Sequence, residues 1–264
     1  MNYYIEGTLN ITEHPEVGKA VMHSHDVYEI YLFLEGKTDY LVEGNKYRLR
    51  KGDLMVMRRG ELHINSIRSD AAYKRIFINF DISHLLSELD SLYLLDIFDN
   101  RPLGQYNHYP AKDFPENPWQ AYLQAICNAR TKTERLCFLL PLLNELNSCF
   151  YEHQTVAKAA EPNVVADICN YINADLTQEL SLEHLSEKFY LSKTHLNRLF
   201  KANVGTTVGQ YIKLKRLFLS KELIQQGTHP MDVFIKCGFN DYTTFYRAFK
   251  NHFGVSPREF AITS

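Results

Sequence analysis

The sequence predicts an α+β chain of two domains: an N-terminal antiparallel β-barrel with following helices, and a C-terminal all-α domain with two helix-turn-helix units. Three observations predict it. Laid against itself with an offset of 49 residues, the stretch from Ser181 to Phe260 repeats: Leu182 falls on Met231, Leu185 on Phe234, Tyr190 on Phe239, Ser192 on Asp241, Leu196 on Phe245, Arg198 on Arg247, Phe200 on Phe249 and Gly205 on Gly254. Between Tyr28 and Phe80, short runs of β-branched and aromatic residues alternate with turn signals, the pattern of an antiparallel barrel or sandwich. Between these regions the apolar period becomes helical, then gives way to a polar stretch without a core pattern.

Taken in order, strands are predicted at 29–34, 38–42, 46–50, 54–57, 63–67 and 74–80, separated by Gly36, Gly44-Asn45, Gly52-Asp53 and Gly60. A helix follows over 83–98 on Leu85, Leu86, Leu89, Leu92 and Leu95. After a Pro-rich loop over 102–115, Asn117-Pro118 marks the start of a helix over 119–130, with a cap followed by Pro in the first turn. Leu136, Leu139, Leu140, Leu143, Leu146 and Phe150 form one stripe over 133–151 and suit either intradomain core or a subunit seam. Pro141 inside that stripe would cost a straight helix about 3 kcal/mol, which predicts a kink or a restart. The polar stretch from Glu152 sets the boundaries: 1–152 as the first domain, 153–163 as linker and 164–264 as the second domain. Its first helix is predicted over 164–173. A long connecting helix follows over 208–225, ~27 Å at 1.5 Å per residue, and Gly227 stops it.

Each repeat reads as a short helix, a turn and a second helix opened by a capping oxygen, that of Ser192 or of Asp241. In the first copy Leu196, Leu199 and Phe200 point inward, leaving Thr194, Asn197, Arg198 and Lys201 outward. In the second, Phe245, Ala248 and Phe249 point inward, leaving Tyr242, Thr243, Tyr246, Arg247 and Lys250 for a partner. Arg forks onto guanine, Asn onto adenine, and Thr or Tyr reaches a methyl group or a phosphate. From Lys188 to Lys221 there are eight basic residues and no Asp or Glu, the electrostatic footprint of a phosphate-binding surface. Lys215 on the connecting helix is expected to touch phosphate. The formal charge of −2 hides an asymmetry, because residues 163–264 hold 12 Lys/Arg against 9 Asp/Glu.

Five cysteines without a CxxC pair argue for packed, reduced thiols instead of disulfides or zinc. There is no charged-then-apolar leader and no apolar run of the ~20 residues that span a bilayer. These features predict a soluble cytoplasmic protein without membrane association.

The string Gly238-Phe239-Asn240-Asp241-Tyr242-Thr243-Thr244-Phe245-Tyr246-Arg247-Ala248-Phe249-Lys250, followed by Phe253-Gly254-Val255-Ser256-Pro257, resembles the AraC/XylS family signature. The resemblance covers 163–264. It departs at Phe234, where the family usually has Ala, and at Ala261, where it often ends in Arg. His23-Ser24-His25, Glu29, Gly36, Gly52-Asp53 and His63 resemble the cupin motif pair, and cupin-like domains commonly precede this DNA-binding domain.

The resemblance implies a transcriptional regulator that binds double-stranded promoter or operator DNA and answers to a small-molecule effector, a sugar-like one first. It also implies RNA polymerase as a partner and a homodimer. His23 and His25, with one residue between them on one strand, would share a face, and with Glu29 and His63 they have the types of a divalent-metal site. Arg58 and Arg59 stand where a cupin enzyme carries Pro and would repel a cation. The four residues are therefore expected to line the effector pocket, with no metal or other cofactor and no catalytic residue. Tyr3, Tyr4, Tyr28, Tyr31 and Tyr40 are candidate stacking faces. Two alternatives stay open, a metal-dependent cupin enzyme with a helical appendage and a DNA-binding regulator whose first domain only dimerises.

Overall fold

In a computed structural model of the chain, residues 3–18, 22–114, 116, 118–156 and 163–263 are described. They form two compact units, Met1–Asn163 and Val164–Ser264.

The first unit holds eight strands: β1 (Tyr4–Thr12), β2 (Tyr28–Glu35), β3 (Thr38–Val42), β4 (Asn45–Arg48), β5 (Leu54–Met57), β6 (His63–Ile67), β7 (Tyr73–Asp81) and β8 (His108–Tyr109). They pair antiparallel in two sheets of order β1-β7-β2-β5-β8 and β4-β3-β6. Period-2 alternation divides the large sheet's side chains between two cores. Tyr31, Phe33, Met55, Met57 and Tyr73 meet Tyr40 and Val42 of the small sheet, while Ile30, Leu32, Val56, Ile76 and Ile78 pack against helices. The predicted barrel is thus two facing sheets. β1 escaped prediction because as an edge strand it leaves Tyr4, Leu9 and Ile11 exposed and lacks a continuous apolar run.

The helix expected over 83–98 is broken into α1 (Ser83–Glu88), a 3-10 turn (Leu92–Leu95) and α2 (Asp96–Asp99), with Asp90 at positive φ between the first two. Leu89 and Leu92 of the supposed stripe are exposed. α3 (Trp119–Asn128) starts where expected, although its proposed cap, Asn117, lies outside the described residues. α4 (Lys132–Val156) passes through Pro141 without a restart. It also runs four residues into the stretch read as linker, and 157–162 lie outside the described residues. Leu139, Leu142, Leu143, Leu146 and Phe150 are buried against the large sheet, so the stripe belongs to the core of its own domain.

The second unit consists of α5 (Val164–Ala174), α6 (Leu182–Lys188), α7 (Lys193–Val204), α8 (Val208–Gln225), α9 (Pro230–Lys236), α10 (Tyr242–Phe253) and α11 (Pro257–Thr263). The duplication is present, but with a one-residue step inside it. α7 and α10 correspond at an offset of 49, α6 and α9 at 48. Hence fully buried Leu185 matches fully buried Val233, not Phe234. The extra residue sits in the second turn, which spans five residues where the first spans four. Both turns pass through a left-handed position, at Tyr190 (φ 53°) and Gly238 (φ 80°). Tyr190 is tolerated because its side chain is 95% exposed. A Cβ on Gly238 would lie 2.2 Å from the Leu176 carbonyl oxygen and 2.9 Å from Arg216, so only glycine fits.

Candidate nucleic-acid interface and effector cavity

In α7 the Ser192 hydroxyl accepts from His195 N at 3.3 Å, and in α10 Asp241 Oδ1 accepts from Thr244 N at 2.7 Å. Each helix has 12 residues and ends on a left-handed glycine, Gly205 or Gly254. Leu196 and Phe200, like Phe245 and Phe249, are buried. Their counterparts on the other face are open: Thr194, Arg198, Lys201, Thr243, Arg247 and Lys250 are exposed, and Asn197, Tyr242 and Tyr246 are half-buried. Arg198 Nη2 lies 3.0 Å from His195 Nδ1, and among the described residues no carboxylate holds it.

Lys215 departs from expectation. It is only 9% exposed, on the side of α8 with Tyr211, Ile212 and Phe218, so it is withdrawn as a phosphate contact. Its neighbour Arg216, which drew no attention in the sequence, holds the unit together by donating to the carbonyl oxygens of Leu176 (2.9 Å) and Gln178 (3.3 Å). Of the cysteines, Cys169 and Cys237 are buried as expected, but Cys137 is exposed. Among the described residues no helix is long and apolar enough to cross a membrane.

In the first unit, a cavity of about 180 Å³ lies between the sheets. His23, His25, Glu29, Tyr31, Tyr40, Asn65, Arg75, Phe77 and Asn79 line it. His23 and His25 do not share a strand: His23 forms an isolated bridge with His63, each backbone N–H donating to the other's carbonyl (3.0 and 2.9 Å). The bridge still gathers the imidazoles, with ring centroids 4.5 Å (His23 to His63), 5.0 Å (His23 to His25) and 5.3 Å (His25 to His63) apart.

Glu29, buried at the start of β2, lies beneath them. His25 Nε2 is 3.0 Å and His63 Nε2 3.4 Å from its Oε2, and the Tyr40 hydroxyl donates to Oε1 at 3.4 Å. Burial alone would raise the Glu29 pKa, but the contacts from His25 and His63 outweigh it and hold the carboxyl well below the usual range. Burial likewise opposes the charged form of His63, yet Glu29 raises its pKa. His63 Nδ1–H donates to the Glu61 carbonyl at 2.8 Å, which turns Nε2 toward Glu29; His63 itself is buried and is not one of the residues lining the cavity. The donor atoms of His23, His25 and His63 all lie within 4.8 Å of one another, a set of types and spacing that could hold a divalent cation.

The two arginines expected to crowd this site are matched elsewhere. Arg58 Nε is 3.8 Å from Glu61, while Arg59 binds Asp81 and lies over the Tyr28 ring. Of the candidate stacking tyrosines only Tyr31 and Tyr40 reach the cavity. Tyr28 packs on Phe80 and Phe98 on the opposite face and donates to Asp99. Arg75, Asn65 and Asn79 were missed by motif reading, because ordinary strand residues carry no spacing signal.

A family model described as an AraC-like ligand binding domain matches residues 13–132, and one described as a helix-turn-helix domain matches 185–261. The chain is 34% identical over 101 residues to the multiple antibiotic resistance protein MarA of Salmonella typhimurium, covering 38% of this chain and 80% of that one. It is 31% identical over 98 residues to the HTH-type transcriptional activator AarP of Providencia stuartii, covering 37% and 73%. Among solved structures, ToxT from Vibrio cholerae aligns over 98% of this chain and 97% of its own at 12% identity, with a TM-score of 0.40.

Proposed function

Because the chain belongs to the AraC family of DNA-binding transcriptional regulators with an N-terminal ligand-binding domain, we propose that α7 and α10 are its two base-reading helices and that the cavity between the sheets takes the effector. The observation that carries the first part is the paired construction of those helices: equal length, a side-chain oxygen cap on each, and Arg198 and Arg247 at the same register on open faces. Thr194, Asn197, Lys201, Tyr242, Thr243, Tyr246 and Lys250 complete the two surfaces. His23, His25 and Glu29 form the polar end of the effector cavity, with His63 holding Glu29 from behind, which suits a small hydroxylated, sugar-like molecule. The first domain then senses and the second acts. The chain acts in the cytoplasm as a homodimer on promoter DNA, presents bound DNA to RNA polymerase and catalyses no reaction.

Ligand can alter DNA binding only by favouring one arrangement of the molecule over another. The test is gel-shift of the full chain on a cognate promoter, with and without sugars, for wild type, Arg247→Ala and His25→Ala. Loss of DNA binding in the first variant, and of ligand response alone in the second, is expected. An unchanged His25→Ala response removes the cavity from the reading.

A second reading is favoured by one observation, the three converging imidazoles beside a buried carboxylate. A divalent cation there would be held by His23, His25, His63 and Glu29 and would polarise a bound oxygen. Metal analysis of protein purified without chelator decides it: stoichiometric zinc, iron or manganese, lost in His63→Ala, supports a metal-dependent sensor.

A further inference from the structure

Arg75, on the cavity-facing side of β7, has no role in the site as described. Tyr73, Arg75, Phe77 and Asn79 alternate onto that face, opposite Phe33, Tyr31 and Glu29 of β2. The Arg75 guanidinium lies 5.0 Å from the Tyr73 ring centroid and 5.8 Å from that of Phe77. Among the described residues it has ring contacts but no carboxylate and no hydrogen-bond acceptor. The cavity's own anion is already satisfied, since Glu29 is held by His25, His63 and Tyr40. Arg75 is thus a half-buried cation on the cavity wall, close to two rings, with its N–H fork left for something else. A second group is also unmet, for the buried Asn79 Oδ1 accepts no hydrogen bond.

From this pairing we infer that the effector is a small polyhydroxy carboxylate, its carboxylate forked by Arg75 and a hydroxyl donating to Asn79 Oδ1. A guanidinium and a carboxylate meet through two parallel charge-assisted hydrogen bonds, which a neutral sugar cannot reproduce. The cavity, about 180 Å³, is smaller than the ~300 Å³ at which drug-sized pockets begin, which suits a small ligand. Without the carboxylate the half-exposed Arg75 fork loses its charge-assisted bonds, so the neutral analogue is expected to bind more weakly.

The inference rests on the cavity reading above and is tested apart from it. Calorimetric titration of the full chain with D-galacturonate, D-glucuronate and D-gluconate, beside D-galactose and D-glucose, is expected to show at least one acid binding ten-fold or more tighter than its neutral counterpart. Arg75→Gln should bring that ratio close to one, and Arg75→Lys, which keeps the charge but not the fork, should restore part of it. Retained binding of promoter DNA and an unchanged melting temperature show that these variants fold. If acid and neutral sugar bind wild type equally, or Arg75→Gln leaves their ratio as it was, the carboxylate assignment is overturned. The cavity itself then stands or falls separately, on whether His25→Ala loses whichever compound binds. Failure of all five compounds to bind overturns both the carboxylate and the sugar-like effector.

Discussion

At the scale of single residues, charge state and partners decide role. Arg198 and Arg247 project from open helix faces, so replacing either by Ala should cost about 1–3 kcal/mol on cognate DNA and relax base choice. Equal weakening on cognate and random DNA in a competition gel-shift would leave only a phosphate contact. Glu61, fully buried, binds Arg101 Nη1 and Nη2 (2.9 and 2.7 Å), Asn107 Nδ2 (2.9 Å) and Gly104 N (2.9 Å). Glu61→Ala would strand the Arg101 charge, with an expected loss of about 3–5 kcal/mol in urea unfolding. Burial opposes ionisation of Glu61, but Arg101 lowers its pKa to about 2. A depressed folded-state pKa means that its stabilisation is present above the unfolded value of ~4.3 and is lost as pH falls towards 2. The wild type should therefore lose stability over that window more steeply than a Glu61→Gln variant.

At the scale of elements, capping is where the two copies differ in strength. Asp241 accepts from both the backbone N–H and the hydroxyl of Thr244, each at 2.7 Å, whereas Ser192 makes one longer contact at 3.3 Å. Removing a cap typically costs ~1 kcal/mol. Asp241→Ala should accordingly lower the melting temperature more than Ser192→Ala, and equal shifts would show that the caps do not set helix stability here. α4 teaches the complementary point, since burial of five apolar side chains keeps it helical through Pro141 despite the missing donor.

For the molecule as a whole, the second unit joins α7 and α10 through α8, 18 residues or ~27 Å. That is comparable to the ~34 Å turn of DNA, and the expected outcome is that α7 and α10 enter successive major grooves on one face. Each monomer should then protect nearly two helical turns in hydroxyl-radical footprinting. Protection of a single groove per monomer would assign only one of the two units to DNA.

How much of this was legible follows from how local each cause is. The duplicated helices, their caps, the connecting helix and most strands could be read because capping, periodicity and turn chemistry act within a few residues. The ligand cluster His23, His25, Glu29 and His63 was legible as residue types, though not as geometry, since the bridge that gathers it joins positions forty residues apart. The one-residue step in the repeat stayed hidden because an ungapped comparison still pairs apolar with apolar, and only burial separates Val233 from Phe234. Lys215 changed from contact to covered residue, and Arg75 from ordinary strand residue to unmatched cation, for the same reason. The sequence by itself determined the family and the pair of capped helices α7 and α10. Which side chains face water, core or cavity was decided by tertiary packing, because burial is set by partners distant in the chain.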